Sequence, residues 1–128
     1  MDILLDTHTL LWMITGDPRL RAKQHQVLEN PENRLFVSAI SAFEIATKVR
    51  IGKLKVGMPL PQFFQLVYLE FGYLSLPVSH QHGQLGGSIP GPHRDPFDRL
   101  LAGQALEERM PLMTDDPAFK AFGVEVVW

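Results

Sequence analysis

The chain has 128 residues, 45% apolar and 20% charged, with a formal net charge of −2. That balance suits a globular chain long enough for one domain with a real core, and it excludes a disordered tail or a uniformly basic nucleic-acid glove. With no cysteine, disulfide frameworks, thiolate metal sites and cysteine nucleophiles are excluded, so any metal must sit on oxygen or imidazole.

The first residues, Met1, Asp2, Ile3, Leu4, Leu5 and Asp6, carry acids where a signal peptide would be basic, and no long apolar run follows. The expectation is a soluble, cytoplasmic protein without a membrane segment. Ile3, Leu4 and Leu5 read as a short buried strand ending at Asp6, and residues 7–15 as a helix stopped by Gly16, Asp17 and Pro18. Residues 20–30 read as a second helix and residues 34–38 as a second strand, a spacing that suits a parallel βαβ crossover.

Residues 41–51 form the next expected helix, with Ser41 as N-cap, Glu44 closing a capping box, and Gly52 beyond its end. Between Ile45 and Leu69 there is no acid, whereas Lys48, Arg50, Lys53 and Lys55 make a local charge of +4. Such a cluster serves either a helix C-terminus or a phosphate-bearing or acidic partner. Residues 61–71 read as a helix whose apolar side chains surround most of its circumference, so Phe63, Phe64 and Tyr68 are candidates for a partner-binding face.

Residues 74–77 suggest a third strand and 79–85 a short helix, followed by a breaker-rich loop up to Asp95. Asp95, Pro96, Phe97 and Asp98 open a helix over residues 96–109 with an N-cap acid, proline at the first position and a second acid at the third. Leu112 and Met113 form a strand before Thr114, Asp115 and Asp116, and residues 124–127 a last one. The expected architecture is one domain over residues 1–128.

Asp6, Glu44, Asp98 and Asp116 each lie where a strand-like run or loop gives way to a helix, junctions that a parallel α/β fold gathers on one sheet edge. Singly, each is an ordinary helix cap. Carboxylates drawn to about 5 Å would repel by roughly 3 kcal/mol per ionised pair at an effective dielectric of ~20, more than the ~1 kcal/mol a cap supplies. Convergence therefore calls for protons or a cation, and oxygen-only ligands select Mg²⁺ or Mn²⁺ and phosphodiester hydrolysis. His80, His82 and His93 do not make a convincing zinc set, and Thr7, Thr9 and Ser41 lack a nucleophile elbow or histidine partner, so they are expected as polar support for the metal site.

The run Leu4-Leu5-Asp6-Thr7-His8-Thr9-Leu10-Leu11-Trp12 resembles the opening of PIN-domain proteins, specifically the VapC-like toxins of type II toxin-antitoxin pairs. Residues 37–45, with Lys48 one turn after Glu44, resemble their second motif, residues 94–101 the third and residues 114–119 the fourth. The resemblance runs in order over essentially the whole chain.

It implies a PIN-like three-layer α/β/α fold with a central, mainly parallel sheet. It also implies a Mg²⁺- or Mn²⁺-dependent endoribonuclease in which Asp6, Glu44, Asp98 and Asp116 bind the metal and carry catalysis. RNA ends would be 5′-phosphate and 3′-hydroxyl. Asp95 competes with Asp98, and Asp115 with Asp116, for the third and fourth positions; the motif spacing favours Asp98 and Asp116. Thr7, Ser41 and Thr114 would support the site, and Arg99 and Lys48 would serve substrate. A homodimer and a VapB-like antitoxin are implied as partners. The rival reading is a catalytically silent PIN-like module that only assembles with a protein; a receiver-type phosphoacceptor lacks its acid after residues 74–77. Gly103 stands where the family expects alanine, at a propensity cost of about 1 kcal/mol.

Overall fold

Alternation along the first strand decides the layering. Ile3 and Leu5 enter one buried cluster and Leu4 the other, and all three are essentially inaccessible to water. Val37 and Met113 repeat the first face, Leu112 the second. A sheet buried on both faces needs helices on both, which makes three layers.

The computed structural model describes residues 1–128. Its strands are β1 (Asp2–Leu5), β2 (Arg34–Ser38), β3 (Leu74–Leu76), β4 (Leu112–Met113) and β5 (Val126–Val127). They pair in parallel throughout, in the order β3-β2-β1-β4-β5. The helices are α1 (Thr7–Thr15), α2 (Ala22–Glu29), α3 (Ala39–Arg50), α4 (Leu60–Gln65), α5 (His80–Ser88) and α6 (Pro96–Glu107), with a 3-10 turn over Pro117–Phe122. No helix is long and apolar enough to cross a membrane. The chain runs from β1 outward through β2 to β3, then returns to the other side of β1 as β4. The strand order thus reverses at β1, and the crevice beyond the C-terminal ends of β1 and β4 is where an open α/β sheet builds a site.

Two expected helices differ from their sequence reading. α3 starts directly from β2, so Ser38, not Ser41, is its N-cap and accepts from the Ile40 N–H. Ser41 is one turn inside and Glu44 takes no part in a capping box. The stretch expected as one helix over 61–71 is α4 followed by a π turn over Leu66–Glu70. Phe63 is only 2% exposed and sits with Val67 in the core. That removes Phe63 as a partner-facing anchor, while Phe64 and Tyr68 stay half-buried and stack on each other at 6.3 Å.

Tyr73 is buried and its hydroxyl has no hydrogen-bond partner. Burial, with the charge of Glu29, pushes that hydroxyl up to about 12 from 10.0. The folded state keeps a proton that the unfolded chain releases, so stability is whole below pH 10 and falls as pH rises from 10 through 12. Tyr73→Phe is expected to abolish that alkaline loss and to gain about 1 kcal/mol at neutral pH in urea denaturation, since a partnerless buried hydroxyl is costly. A variant less stable than the parent at pH 7 would contradict this.

Candidate metal centre

Asp6 follows the central strand β1 and is 5% exposed. It caps α1: Oδ1 accepts the Thr9 N–H at 2.7 Å, and Oδ2 accepts the Thr114 hydroxyl at 2.6 Å. Thr9 is held in turn by donating to the Met113 carbonyl at 3.1 Å. Thr114 follows β4, and its Oγ1 also accepts the Asp116 N–H at 3.1 Å. One threonine therefore joins the first acid to the fourth across the strand reversal. Asp116 caps the 3-10 turn, accepting the Ala118 N–H at 2.9 Å.

Thr7, next to Asp6, reaches the other way. Its hydroxyl donates to Glu44 Oε1 at 3.0 Å and lies 2.9 Å from the buried Ser41 hydroxyl. Asp98 stands at the third position of α6 behind its N-cap Asp95, which accepts the Phe97 and Asp98 N–H groups. His93 Nε2 meets Asp98 Oδ2 at 3.0 Å. Asp115 is exposed and borders a different cavity with Arg19, Arg21, Lys23 and Trp128.

Three of the four carboxyls are held above their ordinary range. For Asp6 the cause is burial, opposed by the bonds from Thr114 and Thr9. For Glu44 it is burial, opposed by the Thr7 bond and Lys48 and reinforced by Asp98 and Asp95. For Asp98 it is again burial, opposed by His93 and reinforced by Asp95 and Asp116. The mutual repulsion places Glu44, Asp98 and Asp116 in one electrostatic neighbourhood, while Thr114 bonds Asp6 and Thr7, the residue after it, bonds Glu44. Negative charge is concentrated here, and among lysines and arginines only Lys48 contributes to the shifts of these acids, a deficit that a bound cation would correct.

A family model for the PIN domain matches residues 3–125. The chain belongs to the PIN domain family. The fold agrees: the chain superimposes on VapBC2 from Rickettsia felis, solved bound to a DNA fragment from its promoter, with a TM-score of 0.75 at 18% identity, covering 99% of this chain and 98% of that one. FitAcB from Neisseria gonorrhoeae gives 0.66 at 20% identity, with 98% and 96% covered. A toxin-antitoxin complex from Klebsiella pneumoniae gives 0.68 at 18%, with 98% and 96% covered. No curated protein matches the chain in sequence.

PIN domains are in general metal-dependent nucleases, so the fit of this one to a cation matters. No three acids, histidines or cysteines are gathered tightly enough to hold an ion by themselves. The donor set nonetheless suits a hard divalent cation, which takes one or two carboxylates and completes its shell with water and substrate phosphate. In this PIN domain the oriented carboxylates are those of Asp6, Glu44, Asp98 and Asp116, each fixed by a named donor or cap.

Arg99 does not face substrate. Its guanidinium donates to the carbonyls of His93, Gly86, Ile89 and Gly91, and so ties down the loop that delivers His93 to Asp98. The loop carbonyls occupy the donors that a phosphate would need. Lys48 remains beside Glu44 as expected.

Two supporting residues escaped the sequence reading. His93 orients Asp98, and Gln104 joins three elements by accepting the Ser38 hydroxyl at 2.5 Å and donating to the Pro77 carbonyl at 3.2 Å. Thr9, expected as polar support for the site, orients Asp6 through its backbone N–H. A lone amide within the apolar stripe of α6 was the only available hint of Gln104. His82, considered above for zinc, is a buried cap: Nδ1 accepts the Ser79 N–H, which leaves Nε2 protonated to donate to Glu108 at 2.8 Å.

Proposed function

We propose that this PIN domain is the toxin of a type II toxin-antitoxin pair and acts as a Mg²⁺- or Mn²⁺-dependent endoribonuclease. The observation that carries the reading is the acid set around the C-terminal end of β1, in which Thr114 bonds both the Asp6 carboxylate and the Asp116 backbone N–H, and Thr7, the residue after Asp6, bonds Glu44. A silent binding module has no use for carboxylates held above their ordinary range by burial and, for Glu44 and Asp98, also by neighbouring acids, because burying and crowding such charge weakens the fold.

When bound, the ion would supply Lewis-acid polarisation of the phosphoryl oxygen and a lowered pKa of its water. The protein's own contribution is orientation. The Thr9 N–H and Thr114 hydroxyl fix both oxygens of Asp6, the Thr7 hydroxyl fixes Oε1 of Glu44 and leaves Oε2 free, and His93 fixes Oδ2 of Asp98. The N-terminus of α1, opening directly on the crevice, adds positive potential where a substrate phosphate would lie.

The antitoxin in this reading is a VapB-like protein, and the similarity to solved toxin-antitoxin complexes supports it. A cleft of about 560 Å³ between α1 and the 54–58 segment, lined by Leu11, Trp12, Leu54, Val56 and Met58 with the largely buried Phe63 contributing to its lining, is the place in this reading for an apolar antitoxin helix. The same reading includes a homodimer in the cytoplasm.

Purified protein freed of any partner is expected to cut single-stranded RNA with Mg²⁺ or Mn²⁺, leaving 5′-phosphate ends, and to stop when EDTA is added. Cleavage that persists in EDTA would rule out the metal role. Inactivity of a folded, metal-supplemented protein on a broad RNA set would favour the binding-module alternative.

A further inference from the structure

Glu44 also borders a small cavity of about 220 Å³, lined by Phe43, Lys48, Ile51, Lys53 and Phe97 together with Thr47. Phe43 is 59% exposed, an unusual position for a phenylalanine next to a charged site. Its ring lies 5.5 Å from that of Phe97 at 35°, so α3 and α6 each contribute one wall. The α3 end folds back: the Lys48 carbonyl accepts the N–H groups of both Lys53 and Leu54, which brings Lys53 beside Lys48. Neither lysine is engaged in an ion pair.

We propose that this cavity receives one unpaired nucleobase of the RNA strand, stacked on Phe43 and walled by Phe97, while Lys48 and Lys53 hold the flanking phosphates. The inference rests on the nuclease reading and specifies its substrate as single-stranded or looped RNA. Three features favour a nucleobase over a protein side. The volume falls below the roughly 300–1,000 Å³ of a drug-sized pocket and suits a single flat ring system. An exposed aromatic face bordered by free cations is the combination by which single strands are held, each base offering a π-face and each phosphate a charge. Glu44 belongs both to this cavity and to the acid set, so a base seated here sets its own phosphate beside the carboxylates. A paired base cannot enter, because it must first leave its stack.

Binding to single-stranded oligoribonucleotides, each with 2-aminopurine at a different position, tests this in EDTA, where no cleavage is required. The full-length protein is expected to quench the probe at one register. Phe43→Ala should abolish that quenching and weaken binding about tenfold, consistent with the loss of one base–aromatic stack, and Phe43→Tyr should restore both. Lys53→Ala should reduce the slope of log affinity against log salt by about 0.7, as one released phosphate contact predicts for a single strand. In cleavage assays Phe43→Ala should raise KM with kcat nearly kept, the signature of lost uniform binding.

The proposal is overturned by wild-type protein that quenches at no register. It is equally overturned by a Phe43→Ala protein that binds and quenches as wild type but changes from dimer to monomer in sedimentation, which would make the patch a protein interface. Phe43-dependent quenching without any metal-dependent cleavage would defeat the nuclease reading alone, and cleavage indifferent to Phe43 would defeat the base pocket alone.

Discussion

Asp6→Asn is expected to lower RNA cleavage by at least about 100-fold, beyond the 10- to 100-fold that partners of a metal ligand usually cost, while the protein stays folded. Asparagine keeps an oxygen to cap α1 through the Thr9 N–H, and the Thr114 hydroxyl can turn to accept from the new amide. The charge is what is lost. Burial holds the Asp6 carboxyl above its ordinary 3.8, so its contribution to stability is whole below 3.8 and fades as pH rises through the folded value. Without metal, the parent should therefore lose stability relative to Asp6→Asn as pH rises from acid to neutral. Mg²⁺ should reverse the order by raising the parent's Tm and leaving the variant's nearly unmoved, because an ion that binds only the folded state stabilises by mass action. A variant that still cleaves RNA at the parent's rate, or an identical Mg²⁺ response in both proteins, would remove Asp6 from the site.

Gly103→Ala is expected to disrupt the scaffold, although alanine is the better helix former. A Cβ at Gly103 would lie 2.5 Å from the His82 carbonyl oxygen and 2.8 Å from the Gly86 nitrogen. Both are backbone atoms of α5, so no side chain can rotate away and the two helices must separate. A Cβ at Gly86 would strike the Arg99 carbonyl in return. The overpacking cost of roughly 1–3 kcal/mol, enlarged here by backbone contact, exceeds the ~1 kcal/mol gained in propensity. A net loss of about 2 kcal/mol, or a Tm lower by roughly 5–10 °C, should follow in thermal denaturation. Gly83→Ala provides the control. It lies on α5 with nothing near its missing Cβ, and it should be neutral or stabilising by about 0.5 kcal/mol. Equal behaviour of the two variants would mean that the close approach does not matter.

The same glycine marks a boundary of what the sequence makes legible. Its propensity cost is visible locally, but the helix that requires it is contributed by residues some twenty positions earlier. Asp95, Asp98, Asp116 and Asp6 were readable as helix-start residues because capping is settled within three or four positions, and all four stand at or just inside helix starts. Ser41 was misread for a related reason: β2 passes into α3 with no intervening loop, and Ser38 and Ser41 satisfy the same local rule. Phe63 looked available because apolar residues surround most of this segment, and which of them face the core is set by the packing of α4 against the sheet, which takes Phe63 and Val67, one turn apart, inward. Arg99 was assigned to phosphate because nothing in a linear reading shows that a loop upstream would turn four carbonyls toward it. The expected acid set matched the family pattern in order; its orientation by Thr9, Thr114 and His93 depends on contacts that only the folded chain makes.

The bond between Thr114 and Asp6 spans 108 residues and is the connection that closes the crevice. During synthesis the Asp6 segment emerges early, and the strand that completes its surroundings emerges more than a hundred residues later. A chain interrupted between Asp98 and Thr114 carries the first three acids but lacks the threonine that holds Asp6. On the nuclease reading proposed above, the centre is complete only once β4 and the residues after it are made, so strand order defers its assembly to the end of synthesis.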